Sequence, residues 1–132
     1  EASALLRQAL AYPADGTRAI AVEGLAERGL REAVPDLIAV LQEKLPGYVV
    51  SRYAAAKALK EIPDKRAVQP LIALLDSNDE FLQQLCAEAL GKIGDPRAIG
   101  PLKALIEREP YGTACQVAQQ AIAEINETPG NP

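Results

Sequence analysis

The sequence predicts an all-α solenoid of about four antiparallel helix pairs, and three observations carry that expectation. Apolar residues recur at helical spacing, as in Leu82, Leu85, Cys86, Ala89 and Ile93. Helix stops and starts come as composed corners. Gly94 can take the left-handed conformation that ends a helix, Asp95 is placed to cap the free N–H groups of the next one, and Pro96 suits a first turn. The whole pattern then repeats. LQQLCAEALGKIGDPRAIGPLKAL (82–105) lies on SRYAAAKALKEIPDKRAVQPLIAL (51–74), which lies on TRAIAVEGLAERGLREAVPDLIAV (17–40). A period of about 31 to 34 residues marks a solenoid, in which each unit buries its apolar face only against its neighbours.

In chain order, 2–11 reads as the first helix of the first pair, with Leu5, Leu6, Ala9 and Leu10 as its stripe, and 13–16 breaks it. Residues 17–28 form its partner, with Gly29 as the stop. The next pair is 32–44, where Val34, Leu37, Ile38 and Leu41 share a face, and 49–62, ended by Pro63. The corner 45–47 between them is longer than its counterpart at 76–79, which accounts for the change of period. The third pair is 66–76 and 80–93, and the last is 98–108 and 111–126. Pro70 and Pro101 occupy the same repeat position. A proline inside a helix costs about 3 kcal/mol, so each is expected in a first turn, where no N–H bond is lost. The second-helix pattern returns a last time, without a successor, at 114–126. The expected organisation is one domain, 1–127, with repeats at about 1–29, 30–63, 64–94 and 95–127, followed by a polar, frayed tail at 128–132.

ALGKIGDPRAIGPL, at 89–102, resembles the PBS lyase HEAT-like repeat, the HEAT-like repeat named after the phycobilisome lyases, whose usual pattern runs roughly AAxALGxIGDxxAxxPLxxxL. The match is strong across 82–106 and good across 51–75. At 17–41 Leu30 stands in the Asp position and Arg28 in the Ile position. The resemblance implies a right-handed α-α superhelix whose second helices line a concave, ligand-binding surface. It is specific for fold and poor for function, because such repeats serve many unrelated proteins.

Composition narrows the function classes. The 132 residues carry a net charge of −4, with a pI of about 4.9, and no basic stripe suited to nucleic acid or an anionic membrane. No apolar run approaches membrane-spanning length, and no signal peptide is present, so a cytoplasmic setting is expected. The chain has no Met and is expected to be a processed product or a fragment of a longer protein. Tyr12, Tyr48, Tyr53, Phe81 and Tyr111 are its aromatics, so the core must be Leu, Ile, Val and Ala. Cys86 reads as a core thiol and Cys115 lies beside the stripe; a disulfide stays open as the lesser alternative, since nothing else argues for an oxidising compartment.

Catalysis is not expected. The chain has no His, no spacing of Asp, Glu or Cys suits a metal, and the same absence excludes the iron-dependent HEAT-like hydroxylases with paired His-Glu motifs. Gly91 and Gly94 close a helix rather than open one, so no phosphate loop is present. No cofactor is expected.

The second helices carry the better signal. Aligned through the repeats, their outward positions are Ala19, Tyr53, Gln84 and Gln116, then Glu23, Lys57, Glu88 and Gln120, then Glu27, Glu61, Lys92 and Glu124. Stacked side by side these rows make one surface, and Tyr53, Lys57, Gln84, Glu88, Gln116 and Gln120 are the expected protein-binding residues. The competing expectation is a solvated face, with Lys57–Glu61 and Glu88–Lys92 as i,i+4 pairs worth about 0.2 to 0.5 kcal/mol each, and with alternating charges paired between repeats. Tyr53 is singled out as an outward aromatic that the core does not need. Tyr48, Phe81 and Tyr111 are expected to plug the rim of the core. Arg18 and Arg52, at one repeat position where Gln83 later replaces them, are expected to hold the corner of a neighbouring repeat. The row Ile20, Ala54, Leu85 and Val117 reads as core, or as an apolar binding stripe if exposed. Leu25, Leu59, Leu90 and Ile122 read as buried in every repeat.

The expected function is therefore a non-catalytic protein-binding scaffold that takes another protein on its concave face, with no nucleic acid and no membrane. The resemblance implies an alternative, a subunit of a phycobilin lyase or a related bilin-handling protein that binds a phycobiliprotein or bilin. A repeat domain cut from a larger enzyme is a third possibility.

Overall fold

A computed structural model describes residues 2–29, 31–44 and 46–130 of the chain. It is an all-α solenoid with helices α1 (Ala2–Ala9), α2 (Asp15–Arg28), α3 (Val34–Leu41), α4 (Val49–Glu61), α5 (Val68–Leu74), α6 (Glu80–Ile93), α7 (Ile99–Arg108) and α8 (Thr113–Glu127), and no strand among the described residues. Each odd-numbered helix packs antiparallel on the even-numbered helix that follows it. The even-numbered helices then pack side by side, α2 on α4, α4 on α6 and α6 on α8. The odd-numbered helices meet the next repeat through short 3₁₀ turns, as α3 does with Lys65–Ala67 and α5 with Pro96–Ala98.

The first helices of the later repeats begin later than their apolar spacing predicts, because the corners wind more tightly than an α-helix. Asp64 and Asp95 each accept the backbone N–H two residues on, Arg66 and Arg97, at 2.9 Å, and this closes a 3₁₀ turn before the α-helix starts. Pro70 and Pro101 then fall third in α5 and α7, inside the first turn as expected. Gly29 and Gly94 close α2 and α6 with φ of 62° and 76°, in the left-handed region. Leu30 and Leu45 lie outside the described residues, as do residues 1, 131 and 132.

The core runs the length of the array. Leu25, Leu59 and Leu90 are fully buried at the same repeat position, but Ile122 is half-buried, because no helix among the described residues follows α8 to cover it. The apolar row also needs correction at one end. Ala54 and Leu85 are 9 % and 6 % exposed and Val117 is half-buried, whereas Ile20 is 68 % exposed: among the described residues no second helix of an earlier repeat stacks on that side of α2. Cys86 and Cys115 are both buried free thiols, and burial pushes the Cys86 thiol up to about 12. The start of the expected frayed tail is anchored. The Thr128 hydroxyl donates to the Glu124 carbonyl at 2.9 Å, and its side chain fills the space beside Gly94.

Candidate functional site

The candidate face is built by the exposed sides of α2, α4, α6 and α8. These helices bury a stripe of small residues, including Ala55, Ala56, Ala87, Ala89 and Gly91, and small side chains let neighbouring helices approach closely. At Gly91 the approach is closest: a Cβ there would meet the Ala121 Cα at 3.0 Å and the Glu124 Oε1 at 2.5 Å. Such close stacking brings the outward rows of successive repeats into contact.

The structure divides the expected site residues into four groups. Glu88, Gln116 and Gln120 come together with Lys60, Lys92, Val117 and Glu124 around a groove of about 330 Å³ between α4, α6 and α8. Lys57 lines a separate groove of about 260 Å³ between α2 and α4, facing Glu23 and Glu27. Gln84 is half-buried and lines neither. Two of the twelve outward positions point inward. Ala19 is buried, and Tyr53 is half-buried against the core.

Tyr53 is therefore corrected from a spare outward aromatic to a tie between repeats. Its hydroxyl donates to Asp79 Oδ2 at 2.5 Å, and its ring meets Phe81 edge-on with centroids 4.8 Å apart. An aromatic pair of this kind is worth about 0.5 to 1.5 kcal/mol beyond its buried area. The hydrogen bond to the Asp79 carboxylate, reinforced by burial, raises the Tyr53 phenol above its ordinary range and keeps it protonated. Asp79 also caps α6, accepting the Leu82 N–H at 3.2 Å, so one carboxylate joins α4 to the start of α6. Phe81 and Tyr48 do lie at the rim, but Tyr111 is 98 % exposed and plugs nothing.

The charged pairs on this face run between repeats rather than along one helix. Lys60 reaches Glu88 at 3.9 Å and Lys92 reaches Glu124 at 3.2 Å, and these are the ion pairs of the two grooves among the described residues. The i,i+4 pairs expected from spacing, Lys57–Glu61 and Glu88–Lys92, do not form: Lys92 turns to Glu124 on the adjacent helix, Glu88 takes Lys60, and Lys57 makes no ion pair among the described residues. Exposed pairs of this kind contribute about 0 to 1 kcal/mol, so their value lies more in arranging charge than in holding the fold.

Several position-setting residues escape a reading of the sequence. Asp15, at the start of α2, accepts the N–H groups of Val50 and Ser51 at 3.0 and 2.9 Å and so caps the neighbouring helix α4. Burial works to raise its carboxyl, but the hydrogen bonds from Ser51 and Val50, with Arg18 nearby, leave it below the ordinary value. Glu80 repeats the device, accepting the Thr113 N–H at 3.1 Å at the start of α8. The recurrence of an acid at the head of α2 and α6 was the available signal, although nothing local shows that it serves the next helix. Of the two arginines expected to hold a neighbouring repeat's corner, Arg18 reaches the next repeat, whereas Arg52 bonds within its own pair, as Gln83 at the same position does. Arg18 is buried with its guanidinium 4.1 Å from the Tyr48 ring centroid, in the next repeat; Arg52 donates to the Glu43 carbonyl at 2.5 Å, and Gln83 to the Ser77 carbonyl at 2.6 Å, each within its own pair. A further groove of about 580 Å³ opens beside these corners, walled by Pro70, Ala73 and Leu74. Two of its polar groups are spent on the fold: Arg52 on Glu43, and Asp79 on Tyr53 and Leu82.

Among the described residues no group of three or more His, Cys, Asp or Glu could hold a metal ion, and no helix is long and apolar enough to cross a membrane. The surface offers two shallow grooves of mixed charge and amide chemistry, suited to hydrogen bonding with another macromolecule.

Comparison with known proteins agrees with this architecture. The family model for HEAT repeats matches residues 47–123, and that for the PBS lyase HEAT-like repeat matches residues 17–43. No curated protein matches the chain. Helix pairs stacked in register, closed by Gly29 and Gly94, and matched by the HEAT-repeat model over more than half the sequence, show that the protein belongs to the HEAT-repeat family, with repeats of the PBS lyase HEAT-like type.

Proposed function

We propose that the protein is a non-catalytic scaffold that binds another protein on the face formed by α2, α4, α6 and α8. The observation that supports this most directly is the groove around Glu88, Gln116 and Gln120, where two lysines, two glutamates and two glutamines surround the apolar Val117. A polar rim around an apolar floor is how protein interfaces are built. Even-numbered helices pack directly on one another while odd-numbered ones meet through turns, which supports reading the even layer as the concave side. Mixed charge favours a protein over a polyanion. Lys57 and Gln84 extend the proposed surface, and Tyr53 supports it from beneath.

The test is a pull-down from the native source with Glu88→Lys combined with Gln116→Ala, beside Lys103→Glu on α7 as the control for the opposite side. All three residues have solvent-facing side chains, so the variants fold. Loss of partners with the pair and retention with Lys103→Glu is the expected result. The reverse pattern places the binding face on the odd-numbered helices.

A second reading, a bilin-handling protein related to the phycobilin lyases, is supported only by the PBS lyase HEAT-like match at 17–43. A shift in bilin absorbance on mixing with the purified chain would favour it over the first.

A further inference from the structure

One position of the repeat is used in three different ways. Gln83 spends its amide on the Ser77 and Leu75 carbonyls at 2.6 and 3.4 Å, and Arg52 donates to the Glu43 carbonyl at 2.5 Å. Arg18 makes no such bond: the Ala9 carbonyl, which corresponds to those of Glu43 and Ser77, accepts the Tyr12 N–H at 3.1 Å instead. Arg18 is only 8 % exposed, its Nε has no hydrogen-bond partner, and it forms no ion pair among the described residues. Tyr48 covers one face of the guanidinium, and the nearby Asp15 carboxylate is taken up by the Val50 and Ser51 N–H groups. Buried cations normally have their donors satisfied, so this one is open to an acceptor from outside.

Arg18 lines an open groove of about 370 Å³ between α1, α2 and α3, together with Leu10, Ala39 and Val40. The groove of about 580 Å³ beside Arg52 is the same feature one repeat on: Ala73 and Leu74 stand 34 residues after Ala39 and Val40, as Arg52 does after Arg18. A further repeat along, Arg108 reaches back to the Leu75 carbonyl at 2.7 Å. Both grooves lie between successive pairs, on the edge where each odd-numbered helix turns into the even-numbered one. The same edge exposes one large apolar side chain per pair, Tyr12, Val50, Phe81 and Tyr111.

We propose that this edge binds an extended acidic segment of another protein, with a carboxylate on Arg18 and a large apolar side chain in the groove beside Ala73 and Leu74. A carboxylate matches the donor fork of a guanidinium, and a segment rather than a small molecule is needed to reach both grooves. Packed helices lie about 8 to 10 Å apart, a span covered by about three residues of extended chain at ~3.3 Å each. The acid and the apolar residue should therefore stand about three positions apart. Phosphate fits less well, because Asp36 and Glu43 also line the Arg18 groove and would repel a second negative charge. This edge is separate from the grooves of the even-numbered face, and either can bind without the other.

The experiment selects short random peptides from a display library against the full chain. Enriched peptides are expected to carry Asp or Glu at that spacing from a large apolar residue. Their affinity should fall about 10- to 100-fold for Arg18→Gln, and as much when the peptide's acid is replaced by its amide. The chain itself holds glutamine at this repeat position, as Gln83, so the variant folds. Ala73→Asp, at an exposed position in the second groove, should weaken the same peptides while leaving Arg18 in place. Glu88→Lys combined with Gln116→Ala should leave the binding of these peptides unchanged. No enrichment, enrichment without an acidic residue, equal affinity for Arg18→Gln, or loss with the Glu88→Lys and Gln116→Ala pair would each overturn the proposal. So would displacement of the peptides by an equal concentration of glutarate or inorganic phosphate, which would make a small anion the occupant.

Discussion

The two ends of this solenoid carry the same repeat and opposite surfaces. At the start, α2 presents Ile20 and α1 presents Leu5 to solvent. At the finish, α8 presents Gln119 and Ala123, whose counterparts in α6, Ala87 and Gly91, are buried against α8 itself. The last pair has polar and small residues on the side where a further pair would stack. The first pair keeps its apolar side chains although no described residue covers them. Burial in such an array is therefore a property of the neighbour as much as of the residue.

The largest expected effect tests that statement in the middle of the array. Leu90→Ala should cost about 2 to 5 kcal/mol, because it empties a fully enclosed site that rigid helices cannot collapse. Ile122→Ala, at the same repeat position but half-buried, should cost clearly less, as read from urea midpoints of the two variants. Equal losses would show that α8 is as enclosed as α6.

Close helix approach gives the next comparison. Gly91→Leu must push α6 from α8, since a Cβ alone would reach the Ala121 backbone at 3.0 Å. Overpacking of this kind costs about 1 to 3 kcal/mol. Ala123→Leu places the same bulk on the open side of α8 and should change stability by no more than about 0.5 kcal/mol. Thermal melts of both proteins would settle the contrast, and a damaging Ala123→Leu would reveal a partner on the terminal face.

The smallest effect concerns the corners. Hydrogen bonds from Arg66 and Arg97, together with their charges, hold the Asp64 and Asp95 carboxyls at about 2, below the ordinary 3.8. Folded-state values are depressed, so this stabilisation is present above pH 3.8 and is lost as pH falls through about 2. Asp95→Asn should flatten the fall of the melting temperature between those limits, and the first corner, with Leu30 in the Asp position, contributes nothing there. An unchanged slope would mean that the corner carboxylates do not govern acid sensitivity.

Much of this architecture is legible in the amino-acid order. Helical spacing, the Gly29 and Gly94 stops, the Asp64 and Asp95 caps, the first-turn prolines and the buried leucines at 25, 59 and 90 are all local or periodic, and a chain with a fixed repeat writes them once per unit. The outward rows were also readable, apart from Ala19 and Tyr53. Which lysine meets which glutamate was not, because the distance between adjacent helices competes with the distance along one helix and only packing sets the former. The same holds for Tyr53, which a surface pattern cannot place on Asp79 and Phe81, and for Asp15 and Glu80, whose carboxylates cap helices 35 and 33 residues away. Helix formation depends on residues a few positions apart, so the chain alone determined it. The covering of a face, the pairing of charges and the capping of a neighbouring helix depend on groups a full repeat away, and the stacking of repeats determined those.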